Sequence, residues 1–384
     1  MISYGKQSID KKDIKTVTDT LNSDWLTQGP KVEEFEQALA RYCGSKYAVA
    51  VFNGTVALHL ANLVFSAGIT SNVITTPITF LATSNSVLYA GGHPFFADIS
   101  DGVFTLDPKQ VKKLAKGEIG FKGIIPVHLG GVICDMESIK KIAEENSLWL
   151  IEDACHALGG KWIDKTGKTQ KVGNCSHSDM TIFSFHPVKQ ITTGEGGAIT
   201  TNNKDIYKKL LTLRTHGMTK DPDRLKENHG GWYYEMQELG FNYRMTDFQA
   251  ALGIEQLKKS DEWVKRRRKL VTKYDDAFYE IEQLIPQQHP DENDGYSYHL
   301  YIIQCKKRAE LYQYLKDKGV NTQVHYIPIH LQPYYKTRYG YGRGDFPVAE
   351  KYYDNALSLP LYPTLTDSEH EEVISLVKEF YANN

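Results

Sequence analysis

Over the first two-thirds of the chain, short apolar runs alternate with amphipathic stretches, and no other feature constrains the fold as strongly. Runs rich in β-branched and aromatic residues read as strands, and stretches with apolar residues every three or four positions read as helices. Strands are expected at Tyr47–Phe52, Val73–Thr76, Pro94–Asp98, Gly123–Val127, Leu148–Asp153, Met180–Phe185 and Ala198–Thr201. Helices are expected at Asp10–Leu21, Val32–Tyr42, Val56–Phe65, Phe80–Leu88, Pro108–Leu114 and Met136–Glu145. Asp10 reads as a helix cap, and Gly44 as a stop. Strands separated by helices imply an α/β fold: a mainly parallel sheet with helices on both faces.

From Thr246 the pattern changes. A helix Asp247–Leu257 leads into a charged helix Trp263–Tyr274, then a polar linker Gln287–Asp294. A strand Tyr298–Gln304, a helix Ala309–Lys318, a strand Thr322–His325 and a closing helix Asp367–Phe380 complete an α+β unit. Two domains are expected: residues 1–246, an N-terminal segment and large α/β domain, and residues 247–384, a connecting helix and smaller α+β domain.

Several function classes are disfavoured. A net charge of -2 over 384 residues carries no basic excess for nucleic acid. No apolar run approaches the roughly 20 residues that span a bilayer, and Met1-Ile2-Ser3-Tyr4-Gly5-Lys6 lacks a signal-peptide core. A cytoplasmic protein is expected. The 5 cysteines include no CxxC pair, as in a reducing compartment. Cys155-His156 and Cys175-x-His177 lack the matched spacing of zinc ligands, so no metal is expected. Gly340-x-Gly342-x-Gly344 neither follows a strand nor opens a helix, and reads as a flexible loop, not a nucleotide cradle. The late tyrosines Tyr326, Tyr334, Tyr335, Tyr339 and Tyr341 suit packing and interfaces as well as sugar or base recognition.

Three positions carry chemistry. Asn53-Gly54-Thr55 turns a strand into a helix, where glycine permits close approach and unpaired helical N–H groups attract phosphate. Asp153 ends a buried apolar strand, either as a helix cap or as a carboxylate aimed into the crevice where α/β sheets bind ligands. Alone and buried it would be costly; a protonated pyridine nitrogen would offset that cost. Lys189 follows the strand Met180–Phe185 and precedes Gln190-Ile191-Thr192-Thr193-Gly194-Glu195-Gly196-Gly197. A free lysine has a pKa of ~10.4, so nucleophilic or basic work at neutral pH needs an amine held by its surroundings. The plain alternative is a surface charge.

A phosphate cradle, a strand-end aspartate and a loop lysine, in that order, occur in pyridoxal-phosphate enzymes of the aspartate-aminotransferase fold (fold type I). The chain resembles the DegT/DnrJ/EryC1/StrS family of nucleotide-sugar aminotransferases over essentially its whole length. The matching segments are Leu26–Pro30, Asn53–Thr55, Thr79–Thr83, Pro126–Gly131, Glu152–Gly159, the Lys189 loop and Gly240–Asp247. The resemblance implies pyridoxal 5'-phosphate as cofactor. Lys189 would bind it covalently and later move the substrate proton, and Asp153 would hold the pyridine nitrogen. Phe80 would stack on the ring, and Gly54, Thr55 and Ser184 would hold the phosphate. His156 stands where glutamine is usual, beside the ring hydroxyl, and Cys155 stands under the ring in place of a small residue. Asn242 would reach the phosphate of a neighbouring subunit, which implies a homodimer with shared sites. Tyr4, Thr27, Arg244, His325 and Tyr326 would face the nucleotide sugar. Within the family, His156, Gln323–Ile329 and Trp232-Tyr233-Tyr234 are most like the enzymes of pseudaminic acid biosynthesis. The implied reaction moves an amino group from L-glutamate to the C4 keto group of a UDP-linked 4-keto-6-deoxy-N-acetylhexosamine. The alternatives are another 4-keto or 3-keto nucleotide sugar, a sugar dehydratase or deoxygenase (whose lysine is replaced by histidine), or a non-catalytic sensor.

Overall fold

The computed structural model describes residues 1–66, 71–289 and 295–383. Asp10 caps α1 (Lys11–Leu21): its carboxylate accepts the Lys12 and Asp13 amides, and Asp13 accepts the Asp10 amide in return. α2 (Pro30–Cys43) begins on a proline and stops at Gly44, whose φ of 82° would strain a side chain.

The alternating region follows as β1 (Tyr47–Val51), α3 (Gly54–Ser66), β2 (Asn72–Thr75), α4 (Leu81–Tyr89), β3 (His93–Phe96), α5 (Pro108–Ala115), β4 (Phe121–Ile125), α6 (Met136–Glu145) and β5 (Trp149–Asp153). A ribbon of β6 (Lys161–Ile163) and β7 (Thr169–Lys171) precedes β8 (Met180–Ser184), β9 (Gly197–Thr201) and α7 (Lys204–Arg214). A second short ribbon pairs β10 (Met218–Thr219) with β11 (Glu235–Met236). The expected strands form one sheet in the order β1-β9-β8-β5-β4-β2-β3. Neighbours are parallel except at β9, which runs antiparallel to both β1 and β8.

Side-chain alternation along each strand builds the two faces. Ala48, Ala50, Ile74, Ile124 and Leu150 join one core with Phe35 and Leu39 of α2 and Ile139 of α6. Their neighbours Val49, Val51, Val73, Ile125 and Ile151 join another with Leu58 of α3, Val87 of α4 and Leu210 of α7. Helices therefore cover both sides of the sheet.

The rest of the chain comprises α8 (Asp247–Leu257), α9 (Ser260–Phe278), β12 (Leu284–Pro286), β13 (Tyr301–Cys305), α10 (Arg308–Asp317), α11 (Pro333–Tyr339), α12 (Pro347–Asn355), β14 (Ala356–Leu359) and α13 (Asp367–Ala382). A three-stranded antiparallel sheet, β12-β13-β14, is its centre. Of the expected linker, residues 290–294 lie outside the described residues. The expected strand Thr322–His325 does not form. Gln323 exchanges both backbone bonds with Ser358 as an isolated bridge. The ladder stops there because the His325 carbonyl accepts the Tyr352 hydroxyl and its Nδ1 meets the Ser358 hydroxyl at 2.9 Å. Gly340 ends α11 at φ 72°, and the glycine-rich stretch turns the chain toward α12. Tyr335, Tyr339 and Tyr341 pack around Phe96 and Phe346. The first residues reach across: Ile2 bridges Val320, and the Tyr4 carbonyl accepts the Leu361 amide at 3.0 Å.

His370 of α13 is fully buried against Tyr274, with ring centroids 4.0 Å apart. Burial holds its pKa down to about 4. An unfolded histidine titrates near ~6.5, so below that pH the unfolded chain binds the extra proton. Stability is complete above pH ~6.5 and is lost as the pH falls toward about 4. The unfolding free energy, followed by thermal melts, is expected to fall across that window by about 3 kcal/mol from this group. His370→Leu should flatten the slope; an equally steep fall in that variant would place the effect elsewhere.

Candidate active site

A cavity of about 650 Å³ opens at the carboxyl ends of β5 and β8 and the amino ends of α3 and α4. Its lining includes Asn53, Gly54 and Thr55, Phe80 and Thr83, and Asp153, Cys155, Ser184 and Lys189. The later part of the chain contributes His299, Gln323, His325 and Tyr326 to the lining, together with Tyr4 from the N-terminus.

Asp153 is 5% exposed. One carboxylate oxygen accepts the Thr83 hydroxyl at 2.7 Å and the other the Cys155 amide at 3.2 Å. Thr79 backs Thr83 at 2.7 Å. Both donors to Asp153 are neutral, so the buried anion can gain further from a cation placed in the cavity. Lys189 is half-buried, and its amide donates to the His186 carbonyl at 2.9 Å, closing the turn after β8. Burial lowers the pKa of its amine, against the opposing pull of the Asp153 carboxylate. Burial and the same carboxylate push the Cys155 thiol well up. Cys155 therefore contributes a neutral thiol beside these two charges.

At the other end, Asn53 Oδ1 accepts the Val56 amide at 3.0 Å and opens α3. A Cβ on Gly54 would stand 3.0 Å from Ser184 Cβ and 3.4 Å from Cys155 Sγ. A side chain there would fill the space between the helix terminus and the Ser184 hydroxyl. The first amides of α3 face an open concavity suited to phosphate.

Phe80 precedes the first turn of α4 with its side chain 57% exposed, so its ring is a cavity wall and not a core residue. His156 is buried, and its ring meets Gly130 and the Tyr326 hydroxyl. Tyr326 lies 6.0 Å from Phe80 between ring centroids. His325 stands beside Tyr4 at 5.5 Å, and burial lowers its pKa to about 3.

Three expected residues do not line this cavity. Thr27 bridges Thr246, Asn242 bridges Thr215, and both are exposed. Arg244 bridges Val51 and lines a separate cavity of about 340 Å³ with Arg214 and Glu36. Conversely, Thr83 and Gln323, which stood in matching segments without a role, and His299, which was not named, line the cavity. Thr79 precedes the Phe80 cap of α4 and Thr83 lies in its first turn, so no helix periodicity pairs them.

Comparison with known proteins identifies the family. The sequence profile of the DegT/DnrJ/EryC1/StrS aminotransferase family matches residues 7–378. The spore coat polysaccharide biosynthesis protein SpsC of Bacillus subtilis is 40% identical over 386 residues, 98% of this chain and 96% of that protein. The UDP-4-amino-4,6-dideoxy-N-acetyl-beta-L-altrosamine transaminase of Campylobacter jejuni is 40% identical over 371 residues, 94% of this chain and 93% of that protein. The structure of Helicobacter pylori PseC, an aminotransferase involved in the biosynthesis of pseudoaminic acid, is similar with a TM-score of 0.91 at 32% identity, covering 100% of both chains. The chain belongs to the DegT/DnrJ/EryC1/StrS aminotransferase family.

Proposed function

We propose that this aminotransferase uses pyridoxal 5'-phosphate to move an amino group from L-glutamate to the C4 keto group of a UDP-linked 4-keto-6-deoxy-N-acetylhexosamine. One observation carries the reading: an amine of lowered pKa, Lys189, shares a cavity with the buried Asp153 carboxylate and the Gly54–Ser184 cradle. Those three features fit the cofactor's aldehyde, ring nitrogen and phosphate. The choice of sugar rests on the Campylobacter jejuni transaminase and PseC.

When bound, pyridoxal phosphate supplies a ring that takes up the electrons left by a departing proton. Asp153 holds a proton on the ring nitrogen, and Thr83 and the Cys155 amide hold Asp153. Ser184 and the Gly54 and Thr55 amides hold the phosphate. Phe80 would stack on the ring. Lys189 would anchor the cofactor and, when free, its amine would hold and move the substrate proton. His325, Tyr326 and Tyr4 face the sugar nucleotide.

We also read Asn242, Thr27 and Arg244 as contributions to the cavity of a second copy in a homodimer. Asn242 and Thr27 lie on the surface, near the exposed Trp25, Leu26 and Leu239 in sequence. The division into residues 1–246 and 247–384, and a cytoplasmic setting, are parts of the same reading. No helix among the described residues is long and apolar enough to cross a membrane.

The test uses purified protein loaded with pyridoxal 5'-phosphate. L-Glutamate should bleach the visible band of the lysine-bound cofactor and release 2-oxoglutarate. A panel of 4-keto and 3-keto nucleotide sugars, with NMR of the products, should show C4 amination. A band untouched by L-glutamate would remove the donor assignment, and C3 amination alone would remove the sugar assignment.

A further inference from the structure

His299 lines the catalytic cavity, is 4% exposed, and carries none of the roles assigned to its neighbours. Its Nδ1 is enclosed by protein and has no hydrogen-bond partner. Among the described residues no group bonds Nε2 either, and that nitrogen is not enclosed: the ring reaches open space at the cavity. Buried polar side chains are nearly always hydrogen-bonded, so a ring with neither nitrogen engaged is suited to a partner that enters the cavity. Burial, helped by Lys189, His156, Arg267 and His325, holds the pKa of the ring well below the ordinary value. The ring is therefore neutral and carries one proton. An enclosed N–H without an acceptor is rarer than an enclosed acceptor without a donor. The proton accordingly belongs on Nε2, the nitrogen open to the cavity.

The fold fixes this ring through its backbone and leaves its nitrogens alone. Tyr298, just before it, has a φ of 45°, which few residues with a side chain adopt. Arg267 of α9 is fully buried, and its Nη1 donates to the carbonyls of Tyr298 at 3.3 Å, His299 at 3.2 Å and Leu361 at 2.7 Å. The Leu300 amide donates to the Gly130 carbonyl at 3.1 Å. Gly131, at φ 96°, lets that turn come close: a Cβ there would stand 2.8 Å from the Tyr298 amide nitrogen and 2.9 Å from that of His299. The ring of His156 packs on that of His299, with centroids 4.5 Å apart.

We propose that His299 is a substrate-binding residue shared by both halves of the reaction: its Nε2–H donates to the α-carboxylate of L-glutamate, and then to an oxygen of the sugar that follows. The identity of these ligands rests on the proposed function; the state of the ring does not. Lys189 acts electrostatically on His299, so the ring is near the reacting amine. The α-carboxylate is one bond from the carbon whose proton that amine must reach. Within one copy and among the described residues, Lys189 is the only lysine or arginine lining the cavity, so neutral donors receive the carboxylate. That suits a site used in turn by two unlike substrates. A fixed guanidinium would pair with the carboxylate and then stand buried and unpaired against the sugar. A neutral N–H bonds to either.

The experiment compares wild type with His299→Gln, whose amide N–H reaches the place of Nε2, and His299→Asn, whose amide reaches only that of Nδ1. In the first arm, ¹⁵N NMR of ligand-free protein at neutral pH, with His299 assigned by subtraction of the His299→Gln spectrum, should show a protonated Nε2 and a bare Nδ1. A charged ring, or a proton on Nδ1, overturns the proposal whatever the enzyme does. In the second arm, protein loaded with pyridoxal 5'-phosphate is titrated with L-glutamate, and half-saturation is read from bleaching of the visible band. His299→Asn should raise it about tenfold or more, and His299→Gln about twofold or less. The KM for the sugar nucleotide should rise about threefold in His299→Asn, with kcat less affected. Equal effects of the two variants, or an effect confined to one substrate, would sink the shared role. Should His299→Asn fail to fold, 2-methyl-L-glutamate, which has no α-proton to lose, is added to loaded wild type: the His299 Nε2 signal should move, and an unmoved signal overturns the proposal. A loaded wild type that ignores L-glutamate instead overturns the proposed function, and with it the identity of the ligands, while the NMR result still decides the ring.

Discussion

Replacing Lys189 with alanine is expected to lower turnover by on the order of 10⁴-fold or more while the protein stays folded. On the proposed function this amine both anchors the cofactor and carries the proton between donor carbon and cofactor, and among the described residues no second lysine lines the cavity. Its removal takes a partly desolvated cation out of a cavity and breaks no backbone contact, because the turn is closed by the Lys189 amide, which alanine keeps. Melting temperature and circular dichroism should therefore change little, and the lysine-bound absorbance band should vanish. Appreciable turnover in this variant would end the assignment of Lys189 to the chemistry.

Asp153→Ala should be the second most damaging change and should fail in a different way. Truncating one member of a buried, hydrogen-bonded charge pair costs several kcal/mol, which corresponds to about 10³-fold in rate or cofactor affinity. The Thr83 hydroxyl and the Cys155 amide lose their acceptor at the same time. Because Lys189 remains, the lysine-bound band should still form when cofactor is in excess, but the ring should lose its capacity to hold a proton at neutral pH. Cofactor titration followed by single-turnover kinetics separates the two variants: Lys189→Ala loses the band, and Asp153→Ala keeps the band and loses the rate. If Asp153→Ala transfers amino groups at near wild-type rate, the aspartate is only a cap for the turn that follows β5.

These residues are legible in the sequence for a physical reason. Asp153 and Lys189 each follow a run of apolar residues, and Gly54 stands where such a run turns into a helix. The carboxyl ends of such strands converge in an α/β sheet whatever their separation along the chain. What is not legible depends on contacts that no local pattern encodes. The bond between His156 and Tyr326 joins residues far apart in the chain, and neither segment predicts the other. Thr322–His325 has the composition of a strand, but its polar groups are taken by Ser358 and Tyr352 from a separate part of the chain. β14 is fully buried and too short to show a period, so its four residues pass for loop. The placement of Thr27, Asn242 and Arg244 away from the cavity is a tertiary fact that the matching motifs alone do not convey.

The reversed strand β9 makes the lysine loop a self-contained cassette. β8 and β9 are adjacent and pair from Thr181–Thr200 to Ser184–Gly197, and the Phe185 and Gly196 backbones continue the bonding into the loop. The loop that presents Lys189 is thus sealed at its neck by its own flanking strands, with no crossover helix inside it. Asp153 and the Gly54 turn, by contrast, are wired into the sheet through crossovers. A change of residue at the tip of the cassette can alter the chemistry while the rest of the scaffold keeps its connections. In this architecture, innovation at position 189 is separable from foldability, and grafting the segment between β8 and β9 is a compact way to transplant or erase the reactive amine.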